Sequence, residues 1–287
     1  MTWLKKIATT LEMIKWQHSI FVLPFALMGA MLAAGGLPQM RKLFWIVVCM
    51  VTARSAAMAF NRWADADLDA VNPRTATRAI PAGLLTRNFV AGFMVLMSLL
   101  FIGAASCLNR LAFLLSPLAL AIVFFYSYTK RFTRWSHLFL GLAMGIAPAA
   151  AWIAVRGSLD PRILVLMAVV LFWGAGFDVL YACQDAAHDQ SVSLRSLPAA
   201  IGVSGAFRIS HLMHLIMIGL LIWLAVLFSL KAVAWIGIGA VAGLLLYEHL
   251  IISPRDLRRL NAAFFTMNGV ISVVFFLFVA VDLLWRR

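Results

Sequence analysis

The chain has 287 residues, of which 64% are hydrophobic and only 12% charged, with a mean hydropathy of +0.96. Soluble domains are closer to half apolar and a quarter charged, so composition excludes an ordinary cytosolic enzyme, a disordered chain and a small secreted disulfide protein. The net charge of +13 would suggest nucleic acid for a soluble chain; in one this apolar it reads as basic loops facing anionic membrane lipid, with no nucleic-acid partner.

At ~20 apolar residues per crossing, the sequence holds enough for about nine helices. Apolar runs predict spans at 18–35, 43–61, 88–107, 111–128, 137–155, 162–182, 210–229, 231–250 and 262–284. The fold class is all-α, a polytopic membrane protein forming a single integral-membrane domain over 1–287. Ahead of the first span, Trp3, Leu4, Ile7, Leu11 and Ile14 recur at helical spacing, which predicts a segment lying along the membrane surface. Pro24, Pro117 and Pro148 fall inside spans, where neighbouring helices can satisfy the freed carbonyls. Gly141 and Gly145 form a GxxxG pair, which predicts close helix packing. Cys49, Cys107 and Cys183 are odd in number and lie in apolar runs, a pattern of neither a disulfide framework nor a zinc site.

Nine spans put the termini on opposite sides. Of the 24 bases, 15 fall on the side of the N-terminus and 8 on the other, with Arg54 inside a span. That bias predicts a cytoplasmic N-terminus; the expected location is a cell inner membrane. The acids are more uneven: nine lie at the cytoplasmic ends, and Asp160 and Asp282 lie opposite. Orientation depends little on acids, so chemistry has to explain them.

Six of the nine fall in two stretches, after the second and sixth predicted spans. The first is NRWADADLD, residues 61–69, followed by the arm NPRTATRAIPAG, 72–83. The second is DVLYACQDAAHD, 178–189, followed by RSLPAAIG, 195–202. On a helix Asn61, Asp65 and Asp69 share one face, drifting only ~40° per step, while Asp67 points away, to be solvated or paired with a nearby Arg. Asp178, Tyr181, Asp185 and Asp189 form a similar stripe. Like charges four apart weaken a helix, so the repetition implies a cation between carboxylates; oxygen ligands from Asp and Asn favour Mg2+. Arg74, Arg78, Lys130, Arg131 and Arg195 lie on the same side and suit a diphosphate. Acids for metal beside bases for phosphate describe a diphosphate–metal site. Glu248 and His249 read as interfacial polar residues, His188 stays open between contact and structure, and Lys15, Gln17 and His18 are within reach of an acidic ligand.

At these residues the chain closely resembles the UbiA family of intramembrane aromatic prenyltransferases, whose members have nine transmembrane helices and aspartate-rich motifs after helices two and six. Tyr126-Ser-Tyr-Thr-Lys130-Arg131 resembles the basic segment after helix four, and the residues from Ile14 to Phe25 resemble the start of helix one. One departure is Arg62, where many members carry an acid. The arm and the Tyr-Ala-Cys-Gln-Asp stretch look most like the 4-hydroxybenzoate polyprenyltransferase branch, including its futalosine-route relatives. The resemblance implies that Asn61, Asp65, Asp69, Asp185 and Asp189 hold Mg2+ and that Arg74, Arg78, Lys130 and Arg131 bind the diphosphate of a polyprenyl donor. Asp178 and Tyr181 are the implied catalytic residues, orienting an aromatic acid or accepting a proton. The acceptor expected is 4-hydroxybenzoate in quinone biosynthesis, with a dihydroxynaphthoate of menaquinone biosynthesis as the alternative. A cation transporter is the rival of another class; it predicts acids near the bilayer midplane in broken helices.

Overall fold

The computed structural model describes residues 3–16, 21–257, 260 and 266–285; Gln17 and His18 lie outside the described residues. The chain order is α1 (Trp3–Met13), α2 (Leu23–Ala34), α3 (Met40–Ala64), α4 (Ala66–Val71), α5 (Arg87–Ser106), α6 (Arg110–Thr129), α7 (Ser136–Arg156), α8 (Ile163–Ala182), α9 (Ala186–Ser191), α10 (Leu197–Leu227), α11 (Ala232–Ile251) and α12 (Asn268–Leu284). Among the described residues, every predicted span overlaps an apolar helix. Seven are long and apolar enough to cross a membrane among the described residues, with α8 counted together with the short helical turns after it; α2 and α12 are apolar but shorter, at 12 and 17 residues.

The sequence marks the helix starts with polar caps. Thr86 accepts from the Phe89 amide at 3.2 Å and Asn109 from Ala112 at 2.9 Å, opening α5 and α6. Such caps satisfy first-turn donors that have no partner within the helix. Pro24 sits in the first turn of α2 rather than inside a span, where its missing N–H costs no hydrogen bond. Ser196 and Pro198 start α10 at Leu197, well before the predicted 210, and Gly202 (φ 75, ψ 164) then breaks it. At the opposite end of the bundle, buried Asp282 accepts from the amides of Lys231 and Ala234 at the start of α11, which accounts for one of the two acids on that side.

Two groups of helices make the body. The main core joins α2, α7, α8, α10, α11 and α12 through Phe25, Trp173, Leu166, Met217, Leu221 and Phe275, all fully buried. Helices α7 and α8 approach closely at the GxxxG pair: a Cβ on Gly141 would stand 2.2 Å from the Leu171 carbonyl oxygen, and one on Gly145 2.6 Å from that of Met167. Helix α3 packs on α5 and more lightly on α6, leaving a cavity between α3, α6, α7 and α8. In α1, Trp3, Leu4, Ile7 and Leu11 are exposed, while Met13 and Ile14 pack towards α3 and α5.

One expectation is corrected in the second half. Glu248 is only 1% exposed, and His249 shares a 2.8 Å hydrogen bond with His214 of α10 and lies 3.9 Å, centroid to centroid, from the His211 ring. His249 thus joins α11 to α10, while Glu248 bonds Asn268 at the start of α12, so both side chains face other helices of the bundle.

Candidate active site

Both aspartate motifs depart from the single continuous helices the spacing suggested. Helix α3 ends at Ala64, Asp65 takes non-helical angles (φ −96, ψ 3), and α4 restarts the turn. The second stretch breaks twice: α8 ends at Ala182, a 3-10 turn covers Cys183–Asp185, and α9 follows. At both breaks a carboxylate meets bases from elsewhere in the chain: Asp65 meets Lys130 and Arg131, and Asp185 meets Arg74.

Asp65, 2% exposed, accepts from Lys130 Nζ at 2.7 Å, from Asn61 Nδ2 at 3.1 Å and from Arg131 Nη2 at 3.4 Å. Asp69, 5% exposed, accepts from Arg78 at 2.6 Å through Oδ1, while its buried Oδ2 has no hydrogen-bond partner. Asp185 receives the Arg74 guanidinium in a fork, with Nε at 2.7 Å and Nη2 in close contact, and Asn72 Nδ2 at 3.3 Å. The arm that follows the first motif is thus tied at its start to the second, Arg74 and Asp185 being 111 residues apart. Asp189 is bonded to Ser196, the cap of α10, and Arg195 is tied by its amide to the Lys130 carbonyl at 2.9 Å. Burial works against the Arg74 guanidinium, but the hydrogen bond and charge of Asp185 outweigh it and raise its pKa. Asp67 faces outward onto Arg87, whose hydrogen bond and charge hold its carboxyl below the usual range.

The structure therefore brings the two motifs together, but through bases. Every acid expected to hold metal, apart from Asp189, is ion-paired with a base expected to hold phosphate. Among the described residues, no three acidic, histidine or cysteine side chains converge as a metal site. The donor set still fits a hard dication: the oxygens come from Asp and Asn, and buried Asp69 Oδ2 is orphaned.

Beneath this ladder lies a cavity of about 960 Å³. Its polar end is lined by Asn61, Arg62, Arg74, Arg78, Asp178 and Tyr181. Its apolar length runs past Met50, Ala119, Val123, Met144 and Ala147 to Leu108 and Leu159 at the opposite end of the bundle. Asp65, Asp69, Asp185, Asp189, Lys130 and Arg131 stand outside its lining, while Asp178 and Tyr181 face it. Arg74 donates to the Tyr181 hydroxyl at 3.3 Å and lies over its ring. Arg62 also lines the cavity and bonds Asn61 Oδ1 at 3.3 Å. His188 is half-buried and bonds through its carbonyl to Ser191.

Arg54 is the functional candidate that sequence reading passed over as a base inside a span. It lines the cavity from the middle of α3, with its buried Nε lacking a hydrogen-bond partner. A charge at that depth is costly and marks a site by default. The signal was present in the sequence as the single base excluded from the loop tally.

Comparison with known proteins covers nearly the whole of this chain. The sequence pattern described as the UbiA prenyltransferase family matches residues 22–278. A 4-hydroxybenzoate octaprenyltransferase of Vibrio cholerae is 31% identical over 88% of each chain, and one of Shewanella loihica is 30% identical over 87% of each. A UbiA homolog from Aeropyrum pernix superposes with a TM-score of 0.85 at 31% identity, covering 93% of this chain and 98% of that one. A UbiA homolog from Archaeoglobus fulgidus bound to GPP and Mg2+ shares the fold, with a TM-score of 0.69 at 18% identity over 96% and 99% of the two chains. A match over nearly the whole chain, with a bundle of membrane helices bearing paired aspartate motifs above a long apolar cavity, places this protein in the UbiA prenyltransferase family, as a multi-pass membrane prenyltransferase.

Proposed function

We propose that the enzyme transfers a polyprenyl group from polyprenyl diphosphate to an aromatic acid, 4-hydroxybenzoate, with Mg2+ as cofactor. The observation that carries this reading is the pairing of Arg74, Arg78 and Lys130 with Asp185, Asp69 and Asp65 at the mouth of the cavity. As it stands, acids and bases compensate one another. A diphosphate drawn onto the bases leaves the carboxylates uncompensated, and unpaired buried charge is costly. Asp65, Asp69, Asp185 and Asp189, with Asn61, would hold a hard divalent cation, which would restore the balance and supply positive charge to the leaving group.

The cavity fits the donor's tail, because its lining becomes apolar away from the basic end. Arg74, Arg78, Lys130 and Arg131 bind the diphosphate. Its C1–O bond breaks with the electron pair going to diphosphate, leaving an allylic cation beside the faces of Tyr126, Phe177 and Tyr181, which line the same cavity. The ring carbon ortho to the acceptor hydroxyl forms the new C–C bond, and its proton leaves to a base, Asp178. Tyr181 orients the ring. Arg54 takes the acceptor's carboxylate, a charge match that a phenol without an acid group lacks. The apolar walls keep out water, which would otherwise capture the cation. The excess of bases at the aspartate end supports an inner-membrane protein with this mouth in the cytoplasm.

The test is diphosphate release from a prenyl diphosphate donor, with and without 4-hydroxybenzoate. The wild type is expected to release diphosphate only when acceptor and Mg2+ are present, and Asp65→Ala or Asp185→Ala to release none. Equal release by either variant defeats the reading.

A further inference from the structure

Asp178 has a partner that the proposed reaction has not used. His137, buried at the start of α7, brings Nδ1 within 2.7 Å of Asp178 Oδ2. On its other side, Nε2 lies 3.4 Å from the backbone N–H of Leu197, in the first turn of α10. That N–H has no partner within its own helix, and it is a donor with no capacity to accept. Nε2 must therefore be the bare nitrogen. A doubly protonated ring, or one carrying its proton on Nε2, would set hydrogen against hydrogen. That geometry calls for a proton on Nδ1, donated to Asp178; the bond made by one ring nitrogen fixes the role of the other.

The consequence lies at the cavity. With Oδ2 held by His137, the other oxygen of Asp178 has no protein partner among the described residues, and Asp178 lines the cavity. The clamp also reaches the second motif, because Ser196, the residue before Leu197, bonds Asp189. Helices α7, α8 and α10 thus meet on one imidazole.

We infer that His137 is a positioning residue: a neutral Nδ1–H donor that fixes the Asp178 carboxylate so that one oxygen faces the aromatic acceptor. This rests on the transfer proposed above. Two readouts on the full-length protein in detergent test it. The first is nitrogen NMR with labelled histidine, the His137 signals being identified by their loss in His137→Asn. The second is steady-state prenylation of 4-hydroxybenzoate by His137→Leu and His137→Asn, the Asn amide nitrogen taking the place of Nδ1. The ring is expected to be neutral with its proton on Nδ1. His137→Leu should lose roughly 10- to 100-fold in kcat, the range typical of residues that orient a functional ligand, with KM for prenyl diphosphate unchanged, and His137→Asn should recover most of the loss. A proton on Nε2, a charged ring at neutral pH, full activity in His137→Leu, or an Asn variant no better than Leu overturns the inference. If the wild type prenylates no aromatic acid, the proposed function fails, and the NMR result alone then decides whether His137 clamps Asp178.

Discussion

The contact that joins the two motifs can be measured with a double-mutant cycle on Arg74 and Asp185. The guanidinium makes two N–H···O bonds to the carboxylate, and hydrogen bonds to charged groups contribute about 1.5–3 kcal/mol each. Coulomb attraction near 4 Å adds about 1 kcal/mol in water and about 4 kcal/mol at an effective dielectric of 20. The two side chains are 34% and 17% exposed, so solvent screens much of both contributions, which also overlap, and the net coupling falls below their sum towards that of a surface pair. The expected coupling is about 1–2 kcal/mol. Arg74→Gln and Asp185→Asn should each destabilise the protein in reversible unfolding in mixed micelles, and the double variant should cost little more than either alone. Strictly additive losses, with coupling below about 0.3–0.5 kcal/mol, would show that the arm and the second motif are not energetically joined.

Three further outcomes follow from the same geometry. Gly141→Leu should disrupt α7–α8 packing by about 1–3 kcal/mol, because the Leu171 carbonyl already occupies the space of a Cβ. Gly92→Ala, facing open space in α5, should cost no stability in the same unfolding assay; equal losses in both would contradict the packing. Arg54→Leu should raise KM for the aromatic acid at least tenfold and leave KM for prenyl diphosphate unchanged in initial-rate kinetics. The reverse pattern would move Arg54 to the donor. Asp67→Ala should match the wild type in activity and unfolding midpoint, since its pair with Arg87 is exposed; a large loss would place that pair in the site.

Much of this was readable in the chain because membrane burial writes itself into long apolar runs, as at 163–182 and 232–251. The aspartate motifs were legible for the complementary reason: acids at the mouth of a bilayer are too costly to be incidental. Their local shape was not. The carboxylates at the breaks, Asp65 and Asp185, pair with Lys130 and Arg74, which are remote from them in sequence, and helical spacing carries no information about such partners. His137 was invisible for the same reason, since a histidine near a span end gains meaning only when Asp178 and the Leu197 amide are seen on either side of it. Glu248 and His249 stood near the end of an apolar run and read as interfacial; their partners, Asn268 of α12 and His214 of α10, are remote in sequence.

Product mass decides the account most directly. Purified enzyme given one long-chain prenyl diphosphate and 4-hydroxybenzoate should yield the acid plus one prenyl group less a proton, only while free Mg2+ is present and again when Mg2+ is restored after EDTA. An unchanged yield in chelator, or no adduct under any condition, would contradict a metal-assisted transfer at the paired aspartate motifs.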